Sequence, residues 1–245
     1  MSVRIIAILG FVGLLLIGLA VWWQVEAPRV EDVQALLVDK QAEATAKLAA
    51  QARAGDPKAQ FALAEVYRVG KGVEANPTAA LKWYEAAARQ GLLAAQYELG
   101  RMYELGEGVK EDDARAVEWY RLAAQLGRYP KAAYRLGNMA FNGRGLPHDY
   151  NVATDWYRRA AERGHPVAQF LMGAMYAEGW GVDKDLVAAD MWYKLAQPHG
   201  KQIRAEDQRY DVDKALADLE AKMSRFQLDQ ARERVRDWMP KPTGR

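Results

Sequence analysis

The sequence predicts an all-α protein: a right-handed α-solenoid of helix-turn-helix repeats, four full units plus caps, with one N-terminal transmembrane helix. Three observations predict it. A Trp-Tyr dipeptide recurs at Trp83, Trp119, Trp156 and Trp192, at intervals of 36, 37 and 36 residues, and a fixed period of this size means stacked supersecondary units. A glycine pair keeps the same register at Gly70 and Gly72, Gly106 and Gly108, Gly143 and Gly145, and Gly179 and Gly181. The third observation is an uncharged apolar run from Ile5 to Trp23.

That run is the first element. Its nineteen residues span about 28 Å as a helix, close to the hydrocarbon thickness of a bilayer. A secretory core is usually about 7 to 15 residues, so the segment reads as a retained signal anchor rather than a cleaved peptide. Cleavage after Ala20 would leave two tryptophans in front, and cleavage after Ala27 would put Pro28 beside the scissile bond. Trp22 and Trp23 suit the membrane interface. Arg4 on one side and Arg29 and Lys40 on the other do not fix the orientation. A short tail with one arginine before the run is the form of an anchor whose amino end stays in the cytoplasm. Residues 1–27 are therefore assigned to the anchor, and the rest of the chain is expected outside the cytoplasmic membrane.

Residues 28–58 form a linker and a degenerate cap helix: Ala44 and Gly55 fall 36 residues before Ala80 and Gly91, while Lys47 replaces the tryptophan. The repeats occupy 59–200, with units at 59–94, 95–130, 131–167 and 168–203. Within a unit, Ala95, Leu99, Met102 and Tyr103 mark one face of a first helix, and Ala116, Trp119, Tyr120, Ala123 and Ala124 one face of a second. The glycine pair is the turn between them, and glycines at Gly91, Gly127, Gly164 and Gly200 close the units. Small residues at Ala64, Gly100, Gly137 and Gly173 predict that two helices approach closely there, since a mid-helix glycine otherwise costs about 1 kcal/mol. The tryptophans read as core. The one extra residue falls between Gly127 and Gly137, where a loop tolerates it. Residues 204–245 hold capping helices and a tail, with Ser224 and Gln227 forming a capping box.

Several function classes are disfavoured by composition. The formal charge of +2 arises from 34 basic and 32 acidic residues spread along the chain, so there is no electrostatic footprint for nucleic acid. Cysteine is absent, which removes disulfides, thiolate zinc sites and a cysteine nucleophile. Serine occurs only as Ser2 and Ser224. His148, His165 and His199 lack metal-site spacing. Asn76, Asp112, Asp149 and Asp185 recur with the repeat, but each stands just before a second helix and reads as its N-cap. Gly70 to Gly72 lacks a complete phosphate-loop pattern. No catalytic residue, cofactor or metal is expected, and the chain is not read as an enzyme.

The stretch Ala95 to Gly127, AQYELGRMYELGEGVKEDDARAVEWYRLAAQLG, resembles the Sel-one-like repeat family, a relative of the tetratricopeptide repeat. The resemblance covers the four units and is specific, because many positions agree in register. The segment Lys222 to Trp238 resembles the helix that often closes such arrays. The resemblance implies an adaptor that binds another protein or peptide segment, and the anchor read from residues 5–23 adds the expectation of a single-pass protein of the bacterial inner membrane with its repeat domain in the periplasm. Two alternatives accompany it: an accessory or structural component of envelope polysaccharide or cell-wall machinery, and an envelope hydrolase, the latter disfavoured because the chain has no cysteines and no SxxK motif.

By resemblance to tetratricopeptide arrays, the first helix of each hairpin lines a concave face. The positions one and four residues after each small residue are Glu65 and Arg68, Arg101 and Glu104, Asn138 and Phe141, and Ala174 and Ala177. These are the expected partner contacts, charged early and apolar late. Phe61, Tyr97, Tyr134 and Phe170, one turn earlier, are expected to serve packing between hairpins, whereas Arg101 and Glu104 are expected to have no packing role.

Overall fold

The computed structural model describes residues 30–125 and 129–238. The predicted anchor, residues 5–23, lies outside the described residues. Among those that are described, no helix is long and apolar enough to cross a membrane, and every regular element is helical. The chain divides into a short unit ending at Lys47 and a large one from Leu48 onward. The helix α1 (Val30–Arg53) begins in the first and ends in the second.

The large unit is an α-solenoid. Its hairpins pair α2 (Pro57–Val69) with α3 (Pro77–Arg89), α4 (Leu93–Leu105) with α5 (Asp113–Ala124), α6 (Pro130–Asn142) with α7 (Tyr150–Ala161), and α8 (Pro166–Glu178) with α9 (Leu186–Ala196). A 3₁₀ turn (Gln197–His199) leads to α10 (Gly200–Glu206), α11 (Val212–Glu220) and α12 (Arg225–Asp237).

Local chemistry sets the ends of these helices. Asn76, Asp112, Asp149 and Asp185 each accept backbone N–H bonds from the first turn of α3, α5, α7 and α9, at 2.7 to 3.2 Å. These bonds satisfy donors that a helix start leaves free. The first glycine of each pair ends the preceding helix in the left-handed region, as Gly106 does with φ 70° and its N–H on the Met102 carbonyl. The second glycine is required by proximity as well: a Cβ on Gly108 would lie 2.5 Å from the Pro77 carbonyl carbon, and one on Gly145 would lie 2.5 Å from the Asp113 oxygen. The later three turns thus seat on the start of the second helix of the repeat before them. Gly200 departs from the expected pattern. Its φ is −52°, because the chain runs on through the 3₁₀ turn into α10 instead of closing a unit.

The small residues mark the helix contacts. A Cβ on Gly100 would come within 2.7 Å of the Tyr120 ring, and Gly137 and Gly173 stand in the same relation to Tyr157 and Tyr193. In the first three Trp-Tyr pairs the tyrosine, not the tryptophan, is therefore the buried member. Tyr84 and Tyr120 are fully buried, whereas Trp83, Trp119 and Trp156 are half-buried. Trp192 alone is buried, meeting Trp238 edge-on at 6.4 Å. Tyrosine takes the inner place because its ring fills the gap over the small residue, and in the first three repeats its hydroxyl reaches a polar partner on the first helix. The aromatics of the first helices also pack within their own hairpins, Phe61 on Tyr84, Tyr97 on Tyr120, Tyr134 on Tyr157 and Phe170 on Tyr193, at 5.4 to 6.3 Å between centroids.

Successive hairpins are joined by a glutamine. Gln60, Gln96 and Gln169 donate from Nε2 to the carbonyls of Ala52, Ala88 and Ala161, at 3.1 to 3.3 Å. The third repeat has Ala133 in that place. There Arg144 crosses between repeats instead, donating to Asp113 at 2.7 and 3.1 Å, to Glu111 at 2.9 Å and to the Glu104 carbonyl at 3.2 Å. At the carboxyl end, the Ser224 and Gln227 capping box forms, and α12 packs on α9.

Candidate partner-binding cleft

The eight predicted contact residues fall on the first helices of the hairpins, but the structure treats the two halves differently. In the first repeat, Arg68 reaches Glu65 at 2.6 Å, and the Tyr84 hydroxyl donates to the same carboxylate. Burial would raise the Glu65 pKa, but hydrogen bonds from Arg68 and Tyr84 outweigh it and hold it below the usual range. In the second repeat, Arg101 is clamped by Glu98 at 2.9 Å and by both oxygens of Glu107 at 2.8 Å. Glu104 is 8 % exposed and accepts the Tyr120 hydroxyl at 2.6 Å. The expectation that Arg101 and Glu104 have no packing role is therefore wrong. The Glu104 position faces the buried tyrosine, and Arg101 has two carboxylates within reach on its own repeat.

In the third and fourth repeats the same register opens into a cleft of about 710 Å³. Its walls come from α6, α8 and the segment that follows α10, and Asn138, Phe141 and Ala174 line it. Ala177 is half-buried against the core and lies outside the lining. Phe141 packs against Tyr150 at 5.2 Å and Trp180 at 6.0 Å. Trp180 in turn stacks on Tyr150 at 5.8 Å with 14° between the planes, yet stays 40 % exposed. Elsewhere in the lining, Tyr210 lies 5.0 Å from Phe170, and Tyr134 donates to Glu206 at 3.0 Å. Asn138 accepts the Tyr157 hydroxyl at 2.8 Å. Asp207 is held by Arg209 at 2.6 Å, and these hydrogen bonds pull its pKa down to about 2.

Beside the cleft, His165 caps α8, accepting the Ala168 N–H at 3.3 Å through Nδ1, and stacks on Tyr134 at 4.8 Å. Burial, and then the charges of Lys131 and Arg135, push its pKa down to about 4. It is thus a neutral acceptor near pH 7. The phenols of Tyr84, Tyr120, Tyr134 and Tyr157 are driven upward chiefly by burial, and that of Tyr193 to about 12. No described cluster of three or more His, Asp or Glu residues could hold a metal ion. The arrangement supplies apolar and aromatic contact with a few polar groups, suited to holding a chain segment.

Two parts of the cleft went unnoticed in the sequence. Trp180 had a signal: it stands inside the fourth glycine pair where Lys71, Glu107 and Arg144 stand in the others. Glu206, Asp207, Arg209 and Tyr210 follow the repeats and have no register to betray them.

The Sel1 repeat profile matches residues 57–92, 93–127, 130–165 and 166–196. The chain is similar to the crystal structure of a Sel1 repeat protein from Oxalobacter formigenes, with 38% identity and a TM-score of 0.61, covering 68% of this chain and 48% of that one. It also matches a protective antigen of uropathogenic Escherichia coli strains displaying an SLR fold, at 26% identity and a TM-score of 0.47, over 79% of this chain and 48% of that chain. This chain thus spans about half the length of these two relatives. No curated protein matches it.

Proposed function

The chain belongs to the Sel1 repeat family, whose members generally serve as protein–protein interaction scaffolds and whose fold is typically non-catalytic; on that premise we propose that it is a membrane-tethered scaffold capturing a partner segment in its third and fourth repeats. One observation carries the reading. The concave register opens into the 710 Å³ cleft at Asn138, Phe141 and Ala174, whereas Glu65, Arg68, Arg101 and Glu104 are occupied by contacts within the chain. The contact set therefore narrows to the later half and widens to include Trp180 and Tyr210.

A photoreactive amino acid at Asn142, an exposed residue of the cleft wall, tests this in cells carrying the full chain. Crosslinks to a partner are expected from Asn142 and not from Glu118 or Arg121 on the second helix of repeat two. The reverse pattern would move the interface off the concave side.

The apolar run at 5–23 supports the tether, and the tether would confine the scaffold to the inner membrane with its repeats in the periplasm. A role in polysaccharide or cell-wall machinery differs from this only in the partner's identity. Reporter fusions after Arg245 read the topology. A periplasm-dependent reporter should be active, and activity of a cytoplasm-dependent one instead would place the repeats on the other side.

A further inference from the structure

One stripe of the repeat loses its charge only in the fourth unit. Taken in three-residue steps from the first helix into its turn, the second repeat reads Glu98, Arg101, Glu104 and Glu107. At matching positions the first repeat has Glu65, Arg68 and Lys71, and the third has Arg135 and Arg144. The fourth reads Leu171, Ala174, Ala177 and Trp180. The hairpin does not demand this change, since the same fold carries charge there in the other three units. Leu171, Ala174 and Trp180 all line the cleft. The first two are half-buried, and Trp180 keeps 40 % of its surface exposed while Tyr150 stacks on its ring.

The charges of the lining are already spent inside the chain. Glu206 accepts Tyr134 at 3.0 Å and pairs with Arg135 at 3.8 Å, and Asp207 pairs with Arg209 at 2.6 Å. Asn138 takes the Tyr157 hydroxyl at 2.8 Å. A charged side chain entering the cleft would shed water and find each carboxylate with an arginine beside it, which is costly. An apolar one has no such penalty, and it gains in proportion to the surface that it and the stripe remove from water. Ala174 stands where Glu65, Arg101 and Asn138 stand in the other repeats, so its short side chain leaves room, with Leu171 one turn before it on the same helix face.

Resting on the scaffold reading above, we propose that the fourth repeat is an apolar docking stripe, taking an aliphatic side chain of the partner over Ala174 while the segment that carries it covers Leu171 and Trp180. The rise from Leu171 to Trp180 is about 14 Å at helical spacing, which roughly four to five residues of extended chain span. The partner is thus a protein with a short, uncharged extended stretch bearing leucine-like side chains.

The test titrates blocked heptapeptides Gly-Ala-X-Ala-X-Ala-Gly, with X as leucine, glutamine, arginine or glutamate, into the full chain. Binding is followed by the Trp180 indole N–H resonance, assigned by its loss in Trp180→Phe. The leucine peptide should bind about ten-fold more tightly than each of the others, a difference of about 1.4 kcal/mol. Ala174→Glu, the residue type of Glu65 at the same position, should remove that advantage, and Leu171→Glu, the residue type of Glu98, should do the same. The helical signal of both variants should stay unchanged. Equal or tighter binding of a polar peptide, an advantage that survives both substitutions, or no shift of the Trp180 resonance with any peptide overturns the proposal. Crosslinking from Asn142 keeps the two readings separable. Partner crosslinks without a leucine preference sink the occupant alone, and a leucine preference without partner crosslinks sinks the scaffold reading alone.

Discussion

Four residues of the first two repeats, Glu65, Arg68, Arg101 and Glu104, hold the same register positions as Asn138, Phe141, Ala174 and Ala177 of the last two. In the early pair, charge on the first helix is consumed inside the chain by Tyr84, Tyr120, Glu98 and Glu107. In the late pair, the shorter or apolar side chains leave room, and the space becomes a cleft walled by Trp180 and Tyr210. The repeat period fixes where a side chain stands and says nothing of whether its neighbours already satisfy it. A charged position on a concave face is therefore no evidence of a partner until its own hairpin has been searched for a counter-charge.

The largest effect expected from this comparison lies in the early half. Tyr120→Ala removes a fully buried ring and leaves the Glu104 carboxylate without its hydroxyl, so unfolding free energy should fall by about 3 to 5 kcal/mol. Trp119→Ala, deleting a half-buried side chain of the same helix, should cost about 1 to 2 kcal/mol. Denaturant unfolding of the two variants compares them directly. Equal losses would mean that the tryptophan shares the inner place.

The next effect belongs to the late half and depends on pH. His165 is held at a pKa of about 4, below the ordinary histidine value near 6.5. Between those values the unfolded chain takes up a proton that the folded cap refuses. Stability present above pH 6.5 should therefore drain away as the pH falls through this window and level off below 4, by about 2 kcal/mol once partial exposure is allowed for. His165→Asn keeps a capping acceptor and should flatten the curve between pH 6.5 and 5. An unchanged slope in that variant would assign the dependence to other groups.

Much of the architecture was legible because it repeats. The intervals between Trp-Tyr pairs, the caps at Asp112, Asp149 and Asp185, and the glycines at Gly100, Gly137 and Gly173 each answer a local demand of backbone or packing that recurs in every unit. What escaped was whatever depends on a partner distant in sequence. Nothing near Glu104 in the chain announces Tyr120 as its donor, and nothing near Tyr134 announces Glu206, 72 residues on. The inner place of tyrosine over tryptophan was hidden for a related reason. Both lie on the helix face that periodicity marks as buried, and only the position of the facing glycine separates them.

A smaller effect separates the tyrosine hydroxyls. Tyr120→Phe removes the 2.6 Å bond to the buried Glu104 and should cost about 1 to 3 kcal/mol. Tyr193→Phe should cost less than about 0.5 kcal/mol, because the register places Ala174 where Glu65 and Asn138 accept hydroxyls in the first and third repeats. Similar losses for both would show that the hydroxyls contribute alike in the two halves and would undo the contrast drawn between them.

The smallest stability effect should carry the largest functional one. Trp180 is 40 % exposed and belongs to a turn whose conformation is set by Gly179 and Gly181, both in the left-handed region. Its own side chain is not needed for that turn, since lysine, glutamate and arginine serve in the other three repeats. Trp180→Ala forfeits contacts with Tyr150 and Phe141, and part of that loss is recovered by hydration of a site already open to water, so it should lower stability by less than about 1 kcal/mol. Crosslinking from Asn142 should nevertheless disappear, because the variant removes a broad, part-exposed aromatic surface from the cleft lining. A Trp180→Ala chain that unfolds with a loss above about 3 kcal/mol would identify the indole as core, and one that keeps its crosslinks would shift the contact toward Tyr210 and the segment after α10.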